Sequence, residues 1–178
     1  MAQTKFGSQI VPKDSTEKTG FMFFPVSAVP ILGLIGNATY AAISAGAPVG
    51  VQASETTAAT IVSMPLMVPY DLDTSETCYA SVGIASMTTA TTATATMALT
   101  YQDIAAGSTI VAPAVTCGSF STMTVAATTG YFTYSSSAAM STKPTPGNLL
   151  AFKLILDPLV EDSHVVYGIK MQYTRRFV

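Results

Sequence analysis

Charged side chains are what this sequence has least of. Only 10% of its 178 residues are Asp, Glu, Lys or Arg, against a usual share of about 25%. A solitary soluble domain of this size ordinarily carries more charge to stay dispersed, so the deficit points to a surface covered by copies of the chain or by partners. The charges are also unevenly spread, with none from Thr19 to Ser54, from Thr77 to Gln102 or from Ile104 to Thr142. A net charge of −2 and a pI near 5.1 leave no concentrated basic face, which excludes nucleic acid as the expected partner.

Long apolar runs are missing too. The mean hydropathy of +0.43 raises the question of a membrane. Yet the longest apolar stretch, "FMFFPVSAVPILGLIG" (Phe21–Gly36), is broken by Pro25, Pro30 and Gly33 and is shorter than the ~20 residues a spanning helix needs. The first residues, "MAQTKFGSQIVPKDSTEKTG", contain no apolar leader core, so the expectation is a soluble chain without a standard secretion signal. Cysteine is confined to Cys78 and Cys117, both in apolar strand-like surroundings, and they read as two buried thiols rather than a disulfide. The single histidine, His164, and two distant cysteines are too few for a metal centre of that type. No G-x-S-x-G and no phosphate-cradling glycine loop occurs, so neither hydrolase nor nucleotide chemistry is supported. The expectation is a non-enzyme with no cofactor.

The residues that remain signal β-structure. From about Asn37 onward Thr, Val, Ala and Tyr are frequent, Gly and Pro punctuate often, and no long stretch keeps a helical period. Strands are expected at Thr60–Pro69, Thr77–Ser86, Ala95–Ala105, Phe120–Thr128, Asn148–Pro158 and Ser163–Arg175. The last has the clearest alternation: Val166, Gly168, Lys170, Gln172 and Thr174 on one face, Val165, Tyr167, Ile169, Met171 and Tyr173 on the other. The threonine-rich tract Thr88–Thr96 reads as a loop feeding a strand, and "GLIGNATYAAISAGA" could hold a short helix. The expected fold is an all-β antiparallel sandwich over residues 37–178, preceded by an extended N-terminal arm over 1–36 that has no period of its own.

Three places could carry chemistry. In "VPYDLDTSETCYASV", Asp71, Asp73 and Ser75 match the first three ligand positions of an EF-hand loop, but Glu76 and Val82 stand where that loop requires Gly and Glu. Calcium binding by that route is excluded. Another carboxylate site or a polar turn between strands remains, and the turn is the simpler reading. In "DPLVEDSH", Asp157, Glu161, Asp162 and His164 lie in what reads as a connection between strands. In "TTGYFTYSSS", Tyr131, Phe132 and Tyr134 form the one aromatic cluster with polar neighbours, either a glycan platform or ordinary strand packing. The closing Arg175 and Arg176 suit a solvated end or an ion pair between subunits.

The order "MPLMVPYDLDTSETCYASVGIAS", "ATMALTYQDIAAGSTI" and "PGNLLAFKLILDPLVEDSHVVYGIKMQYTRR" resembles the β-sandwich (jelly-roll) structural proteins of tailed bacteriophages. The positions that carry it are Pro69, Asp71, Asp73 and Ser75, then Leu99 and Tyr101, then Pro146, Gly147, Leu149 and Phe152, then Gly168 to Tyr173. The resemblance implies a non-enzymatic virion protein that assembles in the host cytoplasm, commonly as a homotrimer, and decorates or cements the capsid surface by binding the major capsid protein. Phe6, Phe21, Phe23, Phe24 and Ile31 in the arm are then the expected partner contacts. The alternative is a tail or fibre component that attaches to host-surface glycans, with Tyr131, Phe132 and Tyr134 as its platform.

Overall fold

A computed structural model describes residues 18–26, 38–42, 44–53, 58–87, 93–118, 123–125, 132–158 and 164–176. Within them the chain is built from strands, without an α-helix. In order these are β1 (Thr19–Pro25), β2 (Ala38–Ala42), β3 (Val49–Ala53), β4 (Ala59–Val62), β5 (Leu66–Met67), β6 (Tyr79–Ser86) and β7 (Ala93–Ile104). There follow β8 (Val115–Thr116), β9 (Met123–Val125), β10 (Phe132–Tyr134), β11 (Ala138–Ala139), β12 (Leu149–Pro158) and β13 (His164–Thr174).

Two antiparallel sheets face each other. The first runs β10-β6-β13-β3-β2, with β1 also on β13 and β11 also on β6. The second runs β4-β12-β7-β8, with β5 on β12 and β9 on β7. The longest pairings are nested in sequence: β6 with β13 in one sheet, β7 with β12 in the other. A ribbon of two paired chain segments therefore crosses from sheet to sheet, which makes the sandwich jelly-roll-like. All-β sandwich architecture was the expectation from the sequence, and each of the six expected strands overlaps at least one observed strand.

Inward residues come from alternate positions of both sheets. Ala80, Val82 and Ile84 of β6 meet Met97, Leu99 and Tyr101 of β7 and Leu150, Phe152, Leu154 and Leu156 of β12 in one buried cluster. Phe24 packs edge-on against Phe152 at a centroid separation of 4.8 Å. Hydroxyl groups satisfy several of the polar atoms inside without charge. The Tyr101 hydroxyl donates to the Thr142 carbonyl at 2.6 Å and accepts from its amide at 2.7 Å. Ser63 Oγ accepts from the Phe152 amide and Ser135 Oγ from the Val82 amide. Hydroxyls thus complete the backbone pairing that a buried sheet requires, which is how so uncharged a chain can close its interior. Cys78 and Cys117 are free and buried, as expected.

Four expectations change. The arm over 1–36 does not persist to its end, because Thr19–Pro25 pairs along its whole length with Gly168–Thr174 and is part of the sandwich. Its Phe24 is fully buried and belongs to the core, so it is not a partner contact. The short helix in "GLIGNATYAAISAGA" is replaced in its described part by β2, which pairs with β3. The alternation of β13 holds from Gly168 onward but breaks at a bulge between Val166 and Gly168. Val166 therefore joins the cluster between the sheets with Ile169, Met171 and Tyr173, while Val165, equally buried, lies outside that cluster, since one extra residue flips the side chains beyond it. Among the described residues no helix is long and apolar enough to cross a membrane.

Candidate functional site

The acidic segment resolves into a turn. Asp73 Oδ1 accepts from the Ser75 amide at 2.9 Å and its hydroxyl at 2.6 Å, a local loop closed by a side chain in place of backbone. These two bonds favour the ionised carboxylate and hold Asp73 below its ordinary value of 3.8. Asp71 does something different: its Oδ2 lies 3.1 Å from Arg175 Nε, and the Asp73 amide donates to the Thr174 carbonyl. The turn thus clamps the end of β13. Arg175, read from the sequence as a solvated end or an ion pair between subunits, is paired here within the chain. No group of three or more His, Cys, Asp or Glu residues among those described could hold a metal ion. Of the second acidic segment, Asp157 lies at the end of β12 and His164 is buried at the start of β13; Glu161 and Asp162 lie outside the described residues.

The aromatic residues assemble where sequence reasoning did not foresee it. Phe132 and Tyr134 lie on β10, and their pairing with Ala85 and Gly83 of β6 turns them to the outer face, because Val82 and Ile84 face inward. Phe21 and Phe23 lie on β1 opposite Gln172 and Lys170 of β13. Their neighbour Phe24 faces the core, so by strand alternation they face outward. The two pairs, one expected in an arm and the other in a glycan cluster, therefore share the outer face of a single sheet. All four rings are solvent-exposed, at 59% for Phe21, 42% for Phe23, 43% for Phe132 and 39% for Tyr134. Phe6, Ile31 and Tyr131 lie outside the described residues.

A glycine pair sets the floor of this face. Gly83 and Gly168 are direct partners across β6 and β13. A Cβ on Gly83 would come within 3.0 Å of the Phe132 ring and 3.2 Å of the Tyr134 ring. One on Gly168 would come within 2.5 Å of the Phe23 ring. Rings from both flanks thus reach over the two glycines. Phe132 also packs edge-on against Tyr134 at 5.1 Å and Tyr167 at 5.9 Å. Lys170 rises between the flanks, with Nζ 4.1 Å from the Tyr134 ring centre and 5.6 Å from that of Phe21. In the next row the exposed Gln172 lies between Phe21 and the exposed Tyr79. The face joins apolar ring surface to a phenol, an amide and an ammonium group.

Sequence reasoning missed Gly83, Gly168, Lys170 and Gln172 as members of a site. The available signal was that Gly168, Lys170 and Gln172 alternate on one face of the last strand. Nothing local said which other strands flank that face.

No protein-family model and no curated protein matches the chain. Solved structures similar in outline include the following two. The C-terminal CBM6 of LamC, a marine laminarinase from Zobellia galactanivorans, aligns at 10% identity and a TM-score of 0.46, over 85% of this chain and 98% of that one. A xylan-binding domain from CBM 22 aligns at 13% identity and a TM-score of 0.40, over 88% of this chain and 96% of that one.

Proposed function

We propose that this protein is a non-catalytic binding module that holds carbohydrate on the outer face of its first sheet. The observation that carries the reading is the convergence of Phe21 and Phe23 with Phe132 and Tyr134 around Lys170, over the Gly83–Gly168 floor. A sugar ring has an apolar face of C–H groups and a rim of hydroxyls. Aromatic side chains bury the former with little loss of conformational freedom, and few precisely placed polar groups orient the latter. Four exposed rings on one sheet face also exceed what scattered surface hydrophobics would give. Asp71 is engaged in the clamp on Arg175 and both thiols are buried.

Of the readings the sequence offered, glycan attachment shares this chemistry. Capsid cementing through an arm loses Phe24 to the core, and neither the fold nor the comparisons point to a virion or a bacteriophage source. Retardation of the purified protein in native gels containing different soluble polysaccharides tests the proposal. Selective retardation by at least one, lost in Phe132→Ala/Tyr134→Ala with the fold intact, supports it; unchanged mobility across neutral and acidic polysaccharides opposes it.

A further inference from the structure

We infer that the aromatic face is selective for an acidic glycan, with Lys170 as the residue that reads the charge. This inference rests on the carbohydrate reading above and sharpens it.

The outward positions of four neighbouring strands define the electrostatics. β6 contributes Tyr79, Ser81 and Gly83, β13 Gly168, Lys170 and Gln172, β1 Phe21 and Phe23, and β10 Phe132 and Tyr134. Among these, Lys170 is the one charged side chain, and its partners across the neighbouring strands are Phe23 and Ser81, neither a carboxylate. An ammonium group lying over the Tyr134 ring at 4.1 Å is flanked by aromatic surface. Ring contacts stabilise it only modestly at a partly exposed site. A ligand anion that displaces water there gains a charge-assisted hydrogen bond. A neutral sugar offers the same ammonium only hydroxyl oxygens, which are weaker acceptors. The chain as a whole carries −2, so general attraction cannot supply the preference, which must arise at this site. The chemistry required is a glycan bearing carboxylate or sulfate, with enough sugar surface beside the charge to stack on the flanking rings.

The test compares polymers that differ only in charge. The full chain is titrated with polygalacturonate and its methyl ester, and with dextran sulfate and dextran. The inference expects at least one acidic polymer to bind about tenfold tighter than its neutral counterpart, the worth of a hydrogen bond to a charged group. Lys170→Gln should erase that difference, Lys170→Arg should keep it, and Phe23→Ala/Tyr134→Ala should weaken binding of the acidic polymer as well. If polygalacturonate separates from its ester, the charge read is a carboxylate; if only dextran sulfate separates from dextran, it is a sulfate. Equal affinity within both pairs, or a preference that survives Lys170→Gln, overturns the inference. If neutral polymers bind through the rings, the carbohydrate reading still stands. If no polysaccharide binds at all, both fall together.

Discussion

Lys170 places its Nζ 4.1 Å from the centre of the Tyr134 ring, although the two residues belong to strands separated by β6. Gly83, on the intervening strand, leaves room for the Tyr134 ring to lie over it. The Gly83 Cα is the point over which the Phe132 and Tyr134 rings reach.

Gly83 and Gly168 should therefore respond differently to the same small change. In Gly83→Ala the new methyl meets ring carbons at 3.0–3.2 Å, and exposed rings can turn aside. Stability should fall by less than about 1 kcal/mol, while glycan binding drops. In Gly168→Ala the methyl also meets the Phe24 carbonyl oxygen at 2.5 Å, and backbone in a paired strand cannot yield. A loss of about 1–3 kcal/mol is expected, measurable by urea unfolding of both variants.

Truncation separates strand from arm. Phe24 is wholly buried and packs on Phe152, so Phe24→Ala should cost about 3–5 kcal/mol. Deleting residues 1–25 should abolish cooperative unfolding, because it removes this side chain and a strand paired over seven residues. Deleting residues 1–17 should leave thermal unfolding cooperative. The difference between the two truncations, followed by circular dichroism, locates where the sandwich begins.

The acid side of the pH profile reads the turn. Asp73 lies below 3.8 because Ser75 bonds to its ionised form. Its contribution is therefore complete above 3.8 and is lost as pH falls through the lower folded value. Ser75→Ala should move the Asp73 titration, followed by carboxyl NMR shifts, back up toward 3.8. The Asp71–Arg175 pair is about two-fifths exposed on both sides, so Asp71→Asn should cost no more than about 0.5 kcal/mol.

The alkaline side reads the thiols. Burial pushes Cys117 from 9.0 up to about 12. Folding is then undiminished by this group below pH 9, and stability declines as pH rises from 9 toward 12, where the unfolded chain ionises and the folded one does not. Cys117→Ala should flatten that decline. At pH 8 neither Cys117 nor the buried Cys78 should react with a thiol reagent until denaturant is added.

Much of the fold could be read from the sequence because β6, β7, β12 and β13 are long and apolar residues recur along them. The short strands β8 and β11 hold two residues each, too few to show any period. Strand β1 was hidden for a different reason. Phe21 and Phe23 are as apolar as the buried Phe24, so its two faces look alike in sequence, and exposed aromatics imitate an unstructured apolar arm. The bulge before Gly168 was equally invisible, since one inserted residue leaves the composition unchanged. The Asx turn at Asp73 was legible because it is a local interaction, whereas the Asp71–Arg175 pair was not, because it joins residues far apart in the sequence. The binding face was not, because its halves lie at residues 21–23 and 132–134 and meet only through the pairing of β1 with β13 and β10 with β6.

The claim that the outer face of the first sheet is the binding surface is tested most directly by NMR chemical-shift mapping with a soluble polysaccharide that retards the protein. The account predicts that shifts concentrate at Phe21, Phe23, Phe132, Tyr134, Lys170 and Gln172. Shifts confined to the second sheet or to the Asp71 turn, with these six unmoved, would contradict it.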